Sequence, residues 1–320
     1  MTSKPLELYS PIPATKTSTS VKYCVITPVR DEEEFIGATI QAVIAQTICP
    51  TEWIIVDDGS TDRTAFMVQE YADRFSWIRL ARRENRGFRS GGGGIEGFLL
   101  GVNRLKTQDW EFLVNLDADL TLAPDYFEQC FAKFREDPAL GIGGGTIYNK
   151  IGEELQLEKC PDFHVRGATK IYRRQCWDVL GGMLPGVGWD TVDEMKARMR
   201  GWSTLTFPDL QIIHHRATGT AQGLWANAVK NGHSDYVVGY HPLFFLAKCV
   251  RRLFQAPLVI GGLALGYGFL RCYLKGVPRL DDQEFIRFIR DQQLRRLFKP
   301  KTIWRSPAKT GVSGTVNWRS

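Results

Sequence analysis

Between Val21 and Asp117 the chain alternates short apolar runs with segments of helical period, and this alternation limits the fold more than any other feature. Tyr23-Cys-Val-Ile-Thr27 and Trp53-Ile-Ile-Val-Asp57 are continuous runs of strand length, the form taken by strands covered on both faces. Between them Phe35, Ile36, Ile40, Val43 and Ile44 fall at 3.6-residue spacing, the stripe of an amphipathic helix. The pattern continues with a helix over roughly 62–75, a strand at Trp77-Ile-Arg-Leu80, a helix over roughly 92–105 and a strand ending at Asp117. A helix then starts from Pro124, a residue suited to a first helical position. This order predicts an α/β domain with a mainly parallel central sheet, helices on both faces, and ligands beyond the carboxyl ends of the strands. Glycines at 141–145 bracket a further strand through Ile147-Tyr148, and 150–162 is polar without a period. Residues 163–216 read as strand, loop and helix, with Met195, Met199 and Trp202 as one buried stripe.

At 320 residues the chain suits one large unit with an appendage. The expected organisation is a loose leader over 1–20, a main domain over 21–240, a helical appendage over 241–300 and a basic extended tail over 301–320. The leader is rich in Thr, Ser, Pro and Lys and lacks the apolar stretch of a secretory signal. Seven scattered cysteines without a CxxC pair fit a reducing compartment, on the cytoplasmic side, better than a disulfide scaffold or a zinc site. The net charge of +6 is unevenly spread: residues 248–320 hold 15 Lys or Arg against 4 Asp or Glu.

Asp117 and Asp119 close the run Glu111-Phe-Leu-Val-Asn-Leu-Asp-Ala-Asp119. Strand side chains alternate faces, so both carboxylates can meet one cation at the strand's end. Hard oxygen ligands of this kind suit Mg²⁺ or Mn²⁺ shared with substrate phosphates, although turns and caps are the ordinary use of Asp. Three further clusters follow strands. Thr27-Pro-Val-Arg-Asp-Glu-Glu33 leads into a helix whose dipole its acids would favour. Asp57-Asp-Gly-Ser-Thr-Asp62 offers carboxylates able to accept hydrogen bonds from a base or ribose, or else helix caps. Asn85-Arg-Gly-Phe-Arg-Ser-Gly-Gly-Gly-Gly94 offers a phosphate-binding helix start, or else a plain loop.

Taken together and in this order, Thr27-Pro-Val-Arg-Asp-Glu, Asp57-Asp-Gly-Ser-Thr-Asp, Asn85-Arg-Gly and Asp117-Ala-Asp resemble the GT-A family 2 glycosyltransferases, over roughly residues 21–220. The resemblance implies a GT-A fold and inverting transfer of a sugar from a nucleotide-diphosphate donor, UDP-linked, to a hydroxyl acceptor. It implies nucleotide binding by Pro28, Arg30, Glu32, Asp57, Asp58, Arg86 and Asp117, and a divalent metal, Mg or Mn, on Asp117 and Asp119. His214 and His215 end the run Leu210-Gln-Ile-Ile213, so only one need face the site; in the family a histidine here completes the metal shell or touches the diphosphate. The family's base lies in an acidic pair before a helix. Here Gly188-Trp-Asp-Thr-Val-Asp-Glu194 departs from the usual spacing, leaving Asp190 preferred over Asp193, with Glu194 as a further cap. Gly167, Ala168 and Trp189 would line the donor sugar and acceptor.

Ala256–Leu270 is free of charge and bracketed by Lys248, Arg251, Arg252, Arg271 and Lys275. It is short of the ~20 apolar residues of a spanning helix. A helix lying in a membrane interface fits the basic flanks; packing on the domain or an oligomer contact is the plainer alternative. Phe285, Phe288 and Ile289 form a second amphipathic candidate. A lipid-linked acceptor suits an enzyme at a membrane, and nucleic acid is the lesser expectation for the tail. Two rival readings stand. A nucleotidyltransferase would open with a glycine-rich loop rather than Thr27-Pro-Val-Arg-Asp-Glu, and a sugar-nucleotide-binding or scaffold protein would have lost the base.

Overall fold

The computed structural model describes residues 21–85, 93–183, 188–216, 223–255 and 258–298. In chain order the elements are β1 (Tyr23–Val29), α1 (Ile36–Ile44), β2 (Glu52–Asp57), α2 (Thr64–Arg74), β3 (Ile78–Arg82), α3 (Gly93–Asn103), β4 (Phe112–Leu116), β5 (Leu120–Leu122), α4 (Tyr126–Glu136), β6 (Leu140–Ile151), β7 (Glu154–Leu157), β8 (Thr169–Arg173), α5 (Arg174–Leu180), α6 (Trp189–Met199), β9 (Ser203–His214), α7 (Gly223–Val237), α8 (Pro242–Leu253), α9 (Ile260–Leu274) and α10 (Gln283–Phe298). The described strands form one sheet in the order β3-β2-β1-β4-β8-β6-β9-β5, with β7 paired to β6.

The strands β3, β2, β1 and β4 run parallel, as does β6 beside β9. The strand β8 enters antiparallel between β4 and β6, and β5 lies antiparallel on β9. The sheet is therefore mixed, with its parallel half where the apolar runs alternate with helices. Strand alternation divides the core in two. Tyr23, Val25, Trp53 and Ile55 face one layer with α1 and α4, while Cys24, Ile26, Ile54 and Val56 face the other with α3 and α5. Both faces of β1 and β2 are covered, which is why their sequences read as continuous apolar runs.

Three local expectations change. The stretch 150–162 contains a hairpin, with β7 on β6; its side chains are exposed, so no buried face marked it in the sequence. Met195 and Met199 join a small core with Phe163, Val238 and Phe285, whereas Trp202 packs on the layer of Phe98 and Trp177, so the proposed stripe is split. The acids at 31–33 precede α1 rather than filling its first turn. Asp31 accepts from Thr61 N–H at 2.7 Å and Glu33 from Arg63 N–H at 3.0 Å, so they brace the entry to α2 instead.

Among the described residues, the elements after Val237 are all helices. The division expected at 240 falls between α7 and α8, and helices on either side of it pack together, α7 against α9. Phe285 and Ile289 of α10 are fully buried against Met195 and Val238, so the apolar face of that candidate helix is covered by the domain. Among the described residues no helix is long and apolar enough to cross a membrane.

Candidate active site and metal centre

Two clusters lie at the carboxyl ends of the parallel strands. The first is built on β1, β2 and β3. Asp57 ends β2 fully buried; its Oδ1 accepts from Ser60 N–H at 2.9 Å, and Arg82 Nε stands 3.4 Å from Oδ2. Asp58 follows with Arg83 at 3.3 Å, and Arg83 also reaches Glu96 at 3.0 Å. Buried Asp57 Oδ2 has Arg82 as an ion-pair partner but accepts no hydrogen bond, leaving acceptor capacity at the strand end. Arg30 donates to Asn85 Oδ1 at 3.0 Å, and Pro28 underlies α3 at Gly97. Gly59 adopts φ +78°, and a Cβ there would lie 2.4 Å from Asn85 Cα, so only glycine lets the 57–62 and 85 segments meet. Arg86 lies outside the described residues.

The second cluster is built on β4, β5 and β9. Asp117, Asp119 and His214 present ligand atoms all within 4.8 Å of one another. Three hydrogen bonds and a strand register set them. Asp117 N–H donates to Ala168 O at 2.8 Å; Thr39 donates from its hydroxyl to Ala118 O at 2.6 Å and accepts from Leu120 N–H at 3.0 Å; and the β5–β9 register places Leu120 opposite His214. His214 Nε2 stands 3.1 Å from Asp119 Oδ1. Alternation turns the neighbouring ring away: His215 contacts Thr121 Oγ1 at 2.8 Å and stacks on Phe35. Of the two histidines, His214 is the one that joins the acids.

Burial, then the neighbouring Asp119 charge, pushes the Asp117 carboxyl up to about 6. Burial would also raise Asp119, but hydrogen bonds from His214 and Arg216 outweigh it and hold that carboxyl below its ordinary range. The His214 imidazole, which burial would lower, is raised by Asp119 and Asp117. Arg216 Nε lies 3.0 Å from Asp119 Oδ2, and its other end pairs with Glu32. Two carboxylates and an imidazole so close, with one carboxyl driven towards protonation, form a mixed oxygen and nitrogen donor set that fits a divalent cation.

Of the acceptor-side candidates, Ala168 and Gly167 adjoin this centre. Asn115 Nδ2 donates to Gly167 O at 2.5 Å, and the Trp189 ring covers Gly167 and stands 5.3 Å from Lys170 Nζ. Asp190 is the second residue of α6, which begins beside that ring. Asp193 is buried, with Lys170 Nζ 3.2 Å from each oxygen and Tyr172 OH donating to Oδ2. Glu194 is buried too, accepting from Val165 N–H at 2.8 Å with Lys170 at 3.0 Å and His164 at 2.9 Å. Thr39, Arg82, Arg83 and Arg216 were missed in the sequence. The arginines carried a faint signal, since each ends or follows a strand on the ligand side; Thr39 carried none inside its helix.

Residues 24–181 match the model of the family described as glycosyl transferase family 2. Over that segment the chain resembles the family 2 glycosyltransferases. Curated relatives agree: putative glycosyltransferase EpsH of Bacillus subtilis (strain 168) is 28% identical over 249 residues, covering 75% of this chain and 66% of its own length. Chondroitin synthase of Escherichia coli is 29% identical over 113 residues, 35% of this chain and 15% of its own. The chain thus spans only part of these relatives. The fold is the GT-A arrangement. It matches a mannosyltransferase of Pyrobaculum calidifontis solved with GDP-Man and Mn²⁺ at a TM-score of 0.51 and 18% identity, covering 87% of this chain and 81% of that one. S. aureus TarS 1–349 with UDP-GlcNAc matches at 0.51 and 16%, covering 85% and 83%. The two strand-end clusters lie within the matched segment except for His214 and Arg216, which the β9 strand brings in from beyond it.

Proposed function

We propose that the protein transfers a sugar from a nucleotide-diphosphate donor, UDP-linked, to a hydroxyl acceptor with inversion, in polysaccharide or glycoconjugate synthesis. The observation that carries this reading is the gathering of Asp117, Asp119 and His214 within 4.8 Å at the strand ends. The fold neighbours hold GDP-Man and UDP-GlcNAc, and the proposal extends that donor class to this chain. Asp57 and Asp58 would accept hydrogen bonds from the base and ribose, with Pro28, Arg30, Glu32 and Arg86 beside the nucleotide.

Asp117, Asp119 and His214 would hold Mg²⁺ or Mn²⁺. Bound there, the cation neutralises charge on the departing diphosphate. His215 would steady the site from behind through Thr121 and Phe35. On the acceptor side, Gly167, Ala168 and Trp189 would form the wall against which sugar and acceptor meet. Asp190 is the proposed base: it would take the acceptor's hydroxyl proton as that oxygen bonds to the anomeric carbon, while the bond to the diphosphate breaks on the opposite face and the nucleotide leaves with the electron pair. The choice over Asp193 is supported by the latter's two oxygens being held by Lys170 and Tyr172. The acceptor proposed is lipid-borne, which would put the enzyme at the cytoplasmic face of a membrane.

A thermal-shift panel of nucleotide sugars with and without Mn²⁺ tests the reading. We expect one donor class to raise the unfolding temperature, and only with the cation. A chain stabilised by no nucleotide sugar under either condition would overturn it.

A further inference from the structure

Helix α9 has two unlike faces. Gly261, Gly262, Ala264, Leu265, Gly268 and Cys272 are buried, and the packing is close: a Cβ on Gly268 would lie 2.1 Å from Val229 O, and one on Gly232 of α7 would lie 2.0 Å from Leu265 O. The opposite face carries Ile260, Leu263, Tyr267, Leu270 and Leu274, spaced as one helical stripe and each at least half exposed. Helix α8, docked on α7 by Lys248 at 2.7 Å from Asp235, exposes a second stripe of Leu243, Leu246, Val250 and Phe254. Trp225 of α7, itself exposed, meets the Tyr267 ring at 6.3 Å. Apolar exposure on this scale marks a surface that another phase or molecule covers.

Charge identifies what covers it. From Tyr236 to Leu280 the chain has no Asp or Glu, while it carries Lys248, Arg251, Arg252, Arg271, Lys275 and Arg279. A cleft of about 270 Å³ between α7 and α9 is lined by His233, Arg271 and Lys275 along with Val229, Cys272 and Val277. A second copy of the chain would meet this face with its own, setting cations against cations, which is unfavourable. A surface of phosphate headgroups over acyl chains matches both the stripes and the cations, and Trp and Tyr favour that boundary.

We propose that the exposed face of α8 and α9 docks on an anionic lipid bilayer, its apolar stripes entering the acyl boundary and Arg271 and Lys275 meeting phosphate headgroups at the cleft. The face is joined to the acceptor side of the site. Gly188, which opens α6 just before Trp189 and Asp190, packs against α7 so closely that a Cβ would lie 2.3 Å from Ser234 Oγ. The inference deepens the lipid-borne acceptor proposed above and is tested apart from the transfer reaction.

Flotation of the full chain with vesicles of phosphatidylcholine, alone or mixed with phosphatidylglycerol, tests it. We expect recovery with the mixed vesicles, weakened by salt, and little with the neutral ones. Arg271→Gln with Lys275→Gln should lower partition into mixed vesicles roughly 30-fold, at about fivefold per cation near the surface. Leu263→Glu with Leu270→Glu should abolish flotation while leaving the unfolding temperature and any nucleotide-sugar shift unchanged. Failure of the unaltered chain to float with either vesicle overturns the proposal. So does equal flotation of both double variants, which would move binding to another segment. A dimer that Leu263→Glu with Leu270→Glu dissociates, without vesicle recovery, would assign the face to a second copy and overturn it as well. A chain that floats as described supports the inference even where no sugar is transferred.

Discussion

Lys170 carries its ammonium group where no solvent reaches it, held between Asp193 and Glu194 at 3.2 and 3.0 Å. Losing one partner from such a group leaves charges buried and uncompensated, so Lys170→Met should cost about 3–5 kcal/mol in denaturant unfolding. Asp190, the second residue of α6, is instead the proposed base. Asp190→Asn should lower turnover by about 10²–10⁴-fold with donor affinity kept, whereas Asp119→Asn should lower both, because the same carboxylate is proposed to hold the cation under the donor. Parallel titrations of donor binding and initial rates for the two variants separate these roles. Normal turnover in Asp190→Asn would return the base to Asp193 or elsewhere.

At the scale of elements, single side chains tie segments that local sequence leaves unrelated. Glu52 Oε2 at the start of β2 accepts from Lys106 and Thr107 N–H at 2.9 Å each, and Arg79 of β3 pairs with its other oxygen while donating to Arg104 O at 2.9 Å. Burial would raise this carboxyl, but the hydrogen bonds from Thr107, Arg79 and Lys106 outweigh it and hold it below the ordinary 4.5. A carboxyl held low in the fold stabilises it above the unfolded value and loses that effect as pH falls through the folded one. Glu52→Gln should therefore lower stability at neutral pH, with the gap to the unaltered protein closing as unfolding is measured below pH 4.5. The helices up to α4 and the strands up to β4 were legible because each carries its own period, whereas the three-residue β5 is too short to show one. The hairpin of β7 was not, since an exposed strand has no buried face to print on its sequence, and the fate of Trp202 depended on a turn at Gly201 that rotates it from one core to another.

For the molecule as a whole, the parallel half of the sheet supplies Asp57, Asp58 and Asp117, and the antiparallel β5–β9 pair brings His214 to Asp117 and Asp119, the proposed metal ligands. Donor and cation should then stabilise the fold together: at a hundred times its dissociation constant a donor adds about 2.7 kcal/mol, and a chelator should remove that gain without lowering the stability of the donor-free protein. Calorimetry with and without chelator measures both. The order of strands and helices from β1 to β4 and the shared facing of Asp117 and Asp119 were determined by the sequence alone, because periodicity and i, i+2 spacing are properties of near neighbours. Which histidine meets those acids, and that Arg216 reaches Asp119 from 97 residues away, was decided only by tertiary structure. Strand register and helix packing join distant segments through the burial of whole faces, and no local pattern records which residues will then stand opposite each other.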